Sequence, residues 1–181
     1  MNESNIHEPW NSFLHELDNF LDEETTLHCF GGFVVTEVYG SLRKTMDVDV
    51  VSVIPRYLSL LDFAGRGSAL HKKHMVYLDR VGIATVPENY NERLTEVFSG
   101  HFEKLRLLAF DPYDIALSKL ERNRELDRVD VSYLANVVPF DLNILERRYF
   151  EELRPYLGIP EREDLTLKLW IEMITEDRTR A

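Results

Sequence analysis

Gly31-Gly32-Phe33-Val34-Val35-Thr36-Glu37-Val38-Tyr39-Gly40-Ser41-Leu42-Arg43-Lys44-Thr45-Met46-Asp47-Val48-Asp49 is the most informative stretch of the chain. Before it, Thr25 to Phe30 is rich in β-branched and apolar residues and stops at the diglycine, as a strand does. Phe33 to Tyr39 has helical character and ends in Gly40, and Ser41 to Thr45 is a polar loop carrying Arg43 and Lys44. Asp47 to Ile54 then reads as a second strand, apolar on both faces after its first three residues, which predicts a central, covered position in a sheet. The order is strand, diglycine, short helix, loop, strand.

Residues two apart on a strand project to the same face, so Asp47 and Asp49 place two carboxylates side by side at the entrance of β structure. Held roughly 6 Å apart in a shielded site, two such charges repel by about 3 kcal/mol, and the pair calls for a cation. Oxygen donors with no nearby cysteine or paired histidine favour Mg²⁺ or Mn²⁺ over zinc. Glycines at a strand-to-helix turn allow close backbone approach and turn amide groups toward an anion, so Gly31 and Gly32 are candidates to cradle phosphate. Arg43 and Thr45 add a guanidinium and a hydroxyl on the connecting loop. A plainer reading remains open, in which the diglycine is only a tight turn and the two aspartates are solvated residues at a strand start.

Outward from this stretch, Trp10, Phe13, Leu14, Leu17, Phe20 and Leu21 recur at helical spacing. Tyr57 to Ala64 reads as helix, and Met75 to Asp79 and Gly82 to Val86 as strands. Leu94 to Phe98 is expected to pair with Glu103 to Ala109 across Ser99-Gly100. Asp111 and Pro112 signal a helix start, with Asp111 as N-cap, leading into Tyr113 to Asn123, and a second start is read at Asp127. Asp141 is a further cap. Gly158-Ile159-Pro160 is a break, and Leu167, Trp170, Ile171 and Ile174 form an apolar stripe. The expected class is α+β: a mixed β-sheet flanked by helices, with residues 1–110 as core with an N-terminal helix and 111–181 as a helical lobe.

Composition bounds the partners. The chain has 181 residues and a formal charge of −11, with a 44% hydrophobic fraction sufficient for a packed core. An acidic surface argues against broad coating of nucleic acid. A local basic strip is conceivable from Arg122, Arg124, Arg128, Arg147 and Arg148. One cysteine, Cys29, excludes an intrachain disulfide, and no apolar run is long enough to span a membrane, so a cytoplasmic, membrane-free protein is expected.

Gly31-Gly32, the short helix, Gly40 and then Arg43-Lys44-Thr45-Met46-Asp47-Val48-Asp49 resemble the signature of the polymerase-beta-like nucleotidyltransferase superfamily. They are most similar to its small bacterial members akin to type IV abortive-infection (AbiEii-like) toxins and related uncharacterised proteins. Asp111-Pro112-Tyr113-Asp114-Ile115-Ala116-Leu117-Ser118-Lys119-Leu120, followed by Arg124 to Asp130, is similar to a downstream motif of those proteins. Roughly residues 27 to 135 are covered.

The resemblance implies a nucleotidyltransferase-like mixed sheet and transfer of a nucleotide from a nucleoside triphosphate (NTP) to a hydroxyl of RNA or protein. Asp47 and Asp49 would hold Mg²⁺ or Mn²⁺. A third carboxylate is usual on a neighbouring strand, and Asp79, with the side-chain parity of Met75 and Tyr77, is the candidate. Gly31, Gly32, Arg43, Thr45 and Lys119 would bind nucleotide, with Asp127 and Asp130 in support. Capping is a competing role for that last pair. For a toxin-type member, a protein antitoxin is an implied partner. The alternative is a catalytically inactive domain of this fold that binds nucleotide or a protein.

Overall fold

The computed structural model describes residues 6–55, 59–82 and 85–180. The chain divides into two units, Met1–Ile83 with Leu94–Phe110, and Ala84–Arg93 with Asp111–Ala181.

In the first unit, strand β1 (Thr25–Phe30) is covered on both faces, because Thr25, Leu27, His28, Cys29 and Phe30 are all buried and Thr26 is half-buried. Helix α1 (Trp10–Phe20) precedes it and buries Trp10, Phe13, Leu14 and Leu17 at the spacing of one helical face. After β1 the chain turns at Gly31 into α2 (Gly31–Phe33), which continues as a π-helical segment, Val34–Val38. The wider register is visible in Tyr39 N–H donating to Val34 O at 3.1 Å.

Strand β2 (Asp47–Ile54), helices α3 (Leu60–Ala64) and α4 (Ala69–His74), and strands β3 (Tyr77–Arg80), β4 (Thr95–Val97) and β5 (Leu105–Ala109) follow. Among the described residues one five-stranded sheet forms in the order β3-β2-β1-β5-β4. Pairing is antiparallel for β1 with β2 and for β4 with β5, and parallel for β1 with β5 and for β2 with β3. The sheet is therefore mixed and the class α+β, as expected.

Two sequence expectations about the sheet are corrected. The central strand is β1, not β2. β2 lies one place from the edge, with Val48 and Val50 buried, Val51, Ser52 and Val53 half-buried and Ile54 exposed. No strand runs through 82–86 among the described residues, since the β2–β3 ladder ends at Val50↔Arg80 with one more bond from Val81 N–H to Val50 O. Ile83 and Ala84 of that expectation, and Tyr57 and Leu58 of the helix expected from 57, lie outside the described residues. The 95–109 hairpin forms with Thr95 opposite Ala109.

One further contact stabilises this unit across long sequence separation. The Asp18 carboxylate accepts from the backbone N–H groups of Glu103, Lys104 and Leu105 at 3.0, 2.8 and 2.7 Å. Burial raises its pKa, but those three bonds outweigh the burial and hold the carboxyl below the usual range.

The second unit is helical: α5 (Pro112–Leu117), α6 (Glu125–Val137), α7 (Leu142–Arg148) with a π-helical extension, Tyr149–Leu153, and α8 (Pro160–Arg180). Leu117, Val131, Leu145, Tyr149, Trp170 and Ile174 are among its buried core. Asp111 caps α5 by accepting from Asp114 N–H, and Asp141 caps α7 by accepting from Asn143 N–H. α5 is shorter than expected, because the chain tightens at Lys119 N–H to Ala116 O and Leu120 N–H to Leu117 O. α6 begins at Glu125, not Asp127. Asp127 sits at the third helical position and its carboxylate accepts from Arg124 N–H at 2.9 Å. Arg93 ties the 3₁₀ turn Tyr90–Arg93 into this unit through Asp114 and Glu152.

Candidate metal and phosphate site

The parallel register of β2 and β3 sets Asp49 opposite Asp79 and Asp47 opposite Tyr77. Same-face alternation then brings three carboxylates together: Asp47, Asp49 and Asp79 each offer an oxygen, all within 4.8 Å of one another. Asp47 and Asp49 are half-buried and Asp79 is exposed.

Asp47 is oriented through both of its oxygens. Thr45 Oγ1 donates to Oδ1 at 2.8 Å, and the Tyr77 phenol donates to Oδ2 at 3.4 Å. Burial, with the Asp47 charge beside it, pushes the Tyr77 phenol up against the opposing effect of Arg66, so at neutral pH it stays a donor. The Arg66 guanidinium carbon lies 5.0 Å from the centre of the Tyr77 ring. Two hydroxyl donors fix this carboxylate without neutralising it.

The diglycine is a place of close approach. Gly31 has φ +71°, and a Cβ there would lie 2.0 Å from Asp49 Oδ2. A Cβ on Gly32 would lie 2.5 Å from an Arg43 guanidinium nitrogen and 2.8 Å from Thr45 Oγ1. The loop therefore folds its cation and its hydroxyl directly over Gly32, while Asp49 packs against Gly31. Such contacts are open only to a residue without a side chain. Gly31, Gly32, Arg43, Thr45, Asp47, Asp49 and Asp79 thus converge within the first unit.

Lys119, Asp127 and Asp130 converge on each other in the second unit. Lys119 Nζ is 2.9 Å from Asp130 Oδ2 and 3.5 Å from Asp127 Oδ1, and all three residues are buried. Burial raises the Asp127 pKa, but bonds from Arg122 and Arg124 N–H with the Lys119 charge outweigh it, so its carboxyl is held below the usual range. Of the arginines considered for a basic strip, Arg122 bonds Asp127, Arg148 bonds Asp111 and Asp114, and Arg128 bonds Asn123. The charges of Arg122 and Arg148 thus meet carboxylates of this unit, while Arg128 bonds neutral oxygens.

Tyr77 and Arg66 were missed as site residues. Tyr77 carried a signal, since it has the strand parity of Asp79. Arg66 carried only its place in the Gly65-Arg66-Gly67 loop. The free thiol of Cys29 is buried, and burial pushes it up, out of the nucleophilic range. His74 pairs with Glu16, and His71 Nδ1 accepts from Gly67 N–H. No helix among the described residues is long and apolar enough to cross a membrane.

Residues 12–178 match a family model described as a nucleotidyltransferase of unknown function (DUF6036). The match spans both units and every candidate residue above. No curated protein and no solved structure matches the chain.

Proposed function

Because the chain belongs to this family of nucleotidyltransferases of unknown function, we propose that it moves a nucleotide from an NTP to a hydroxyl acceptor at the carboxylate cluster of β2 and β3, with a divalent cation. The observation that carries this is the convergence of Asp47, Asp49 and Asp79 within 4.8 Å beside a glycine pair that only a bare backbone satisfies. Three hard oxygen donors suit Mg²⁺ or Mn²⁺. A divalent ion bound there supplies a lowered pKa for the attacking hydroxyl and neutralises the leaving oxygen.

The chain's own residues do the rest. Thr45 and Tyr77 orient Asp47, leaving carboxylate lone pairs for the cation. Gly31 lets Asp49 approach the turn, and Arg43 offers a guanidinium to the phosphates beside Gly32. In the transfer the acceptor oxygen bonds to the α-phosphorus. The bond from that phosphorus to the β-phosphate bridge breaks, pyrophosphate leaves with the electron pair, and the hydroxyl proton passes to water. Lys119, with Asp127 and Asp130, enters in support. A direct phosphate contact from Lys119 requires its ion pair with Asp130 to open. An RNA or protein acceptor and a toxin-type role with a protein antitoxin rest on the resemblance of the 31–49 motif.

The test is incubation of the purified chain with Mg²⁺, each α-labelled NTP in turn and a cell extract as acceptor source. Expected is label on an acceptor in the extract and released pyrophosphate, both lost in Asp49→Ala. Mg²⁺-NTP affinity without transfer would instead favour the binding-domain alternative. Absence of both Mg²⁺-NTP affinity and transfer contradicts the reading.

A further inference from the structure

A cavity of about 450 Å³ in the first unit has Arg43 and Thr45 in its wall, the same two loop residues that lie over Gly32. We propose that this cavity is the acceptor pocket and that it takes an uncharged ring carrying hydroxyl groups, a nucleoside or a sugar. The proposal rests on the transferase reading above and narrows its acceptor to a small hydroxylated ring, in place of the RNA or protein that the resemblance of the 31–49 motif implies.

Three observations carry it. The first is connection: Thr45 lines the cavity and its Oγ1 donates to Asp47 Oδ1 at 2.8 Å, so the cavity and the carboxylate cluster share a wall residue. A nucleophilic hydroxyl has to be delivered to that neighbourhood for in-line transfer.

The second is the apolar rim. Leu42 is 100% exposed, Met46 62% and Met75 64%, and all three line the cavity. Large apolar side chains left singly in water need no explanation, but three around one concavity form a surface suited to the faces of a ring. Two are methionines, whose flexible, polarisable thioethers adapt to flat ligands.

The third is charge balance. Glu8 and Glu37 line the cavity, and so do Arg43 and Lys44. Glu37 is already engaged, accepting from His7 N–H at 3.1 Å and paired with His7 Nδ1 at 3.0 Å. A polyanion entering this space meets two carboxylates and a polycation meets two cations, so neither gains a net field. An uncharged ligand loses nothing on that account, and its hydroxyls find partners such as Thr36 Oγ1, which donates to Phe33 O and keeps its own lone pairs as acceptors. The volume falls in the range of small-molecule pockets.

The methionines give a direct readout. The chain has four, Met1, Met46, Met75 and Met173. Methyl-¹³C-methionine protein is titrated with adenosine, methyl β-D-glucoside and, as the charged counterpart, AMP. Expected are shifts of the Met46 and Met75 methyl resonances with Met173 unmoved, produced by adenosine if the source is a nucleoside and by the glucoside if it is a sugar. AMP binds no tighter than adenosine. Leu42→Glu, at a fully exposed position, weakens the effective neutral ring about tenfold by placing a hydrated charge on the apolar rim.

Asp49→Asn leaves the shifts in place, because the cavity does not need the cation. Absence of shifts with either neutral ring, equal shifts at Met173, or AMP acting at lower concentration than adenosine overturns the proposal. Transfer activity with no methyl shifts overturns the pocket alone. Methyl shifts with neither NTP binding nor transfer overturn the transferase reading and leave only a ligand site.

Discussion

The carboxylates on β2 and β3 and those of the helical unit are handled in opposite ways. In the helical unit Asp114 is 1% exposed and meets Arg93 at 2.8 and 3.0 Å and Arg148 at 3.1 Å, and Asp130 meets Lys119 at 2.9 Å. On the sheet, Asp47 meets two hydroxyls, and Asp79 stands exposed beside Asp49. A buried carboxylate carries so large a desolvation penalty that the chain itself has to supply its partners, which in the helical unit are cations. A half-exposed cluster tolerates mutual repulsion of about 3 kcal/mol per pair, and that repulsion is relieved when a cation arrives from outside. The helical acids are matched by cations of the chain itself, and the sheet acids are the ones the proposed function gives to a ligand.

The widest separation between the two is expected from Lys119→Met. It leaves Asp130 buried against an apolar side chain, so stability to urea should fall by about 3–5 kcal/mol while Mn²⁺ affinity of the folded protein is unchanged. A parallel loss of Mn²⁺ affinity would break the distinction.

Gly31→Ala should act on the sheet cluster. The new methyl would meet Asp49 Oδ2 at 2.0 Å on a backbone with φ +71°, so the carboxylate must move. The strain alone costs about 1–2 kcal/mol, and metal affinity should drop on the order of tenfold in calorimetry.

Asp18 tests a third way of keeping a carboxylate, by backbone amides alone. Asp18→Asn should destabilise the protein by about 1–2 kcal/mol in urea unfolding. The folded-state pKa of Asp18 is depressed below 3.8, so its stabilisation is present above that value and lost as pH falls through the lower folded one. Asp127 contributes with the same sign. The wild-type acid-unfolding curve should therefore be steeper than that of Asp18→Asn below about pH 4. Smallest is Tyr77→Phe, which removes one 3.4 Å bond to Asp47 and should weaken Mn²⁺ binding only a few-fold, about 1 kcal/mol or less, with no change in the unfolding midpoint.

The diglycine turn and the same-face pair Asp47 and Asp49 were legible because both follow from local rules, side-chain alternation on a strand and the need for a bare backbone at a tight approach. The parity of Asp79 with Tyr77 was legible for the same reason. Its arrival opposite Asp49 depends on a parallel register that no local pattern specifies.

Where long-range packing decided, the reading went astray or fell silent. The apolar run of β2 suggested a central strand, yet the centre belongs to β1, whose Thr25, Thr26 and His28 disguise its burial. Asp18 looked like one polar residue of an amphipathic helix, and its partners lie more than eighty residues away. The motif containing Lys119 was recognisable, but its pairing with Asp130 across a change of helix was not. Asp127 looked like a helix start because an N3 aspartate and an N-cap aspartate leave nearly the same mark in sequence.

The claim on which the account turns is that the sheet carboxylates form a divalent-cation site. Calorimetric titration of Mn²⁺ into the wild-type chain, Asp49→Asn and Asp79→Asn tests it without any assumption about substrate. Expected is saturable binding in the wild type, displaced by Mg²⁺, and binding weakened on the order of a hundredfold in both variants while their unfolding midpoints stay level or rise as the repulsion is relieved. No saturable binding in the wild type, or equal binding in all three proteins, would contradict it.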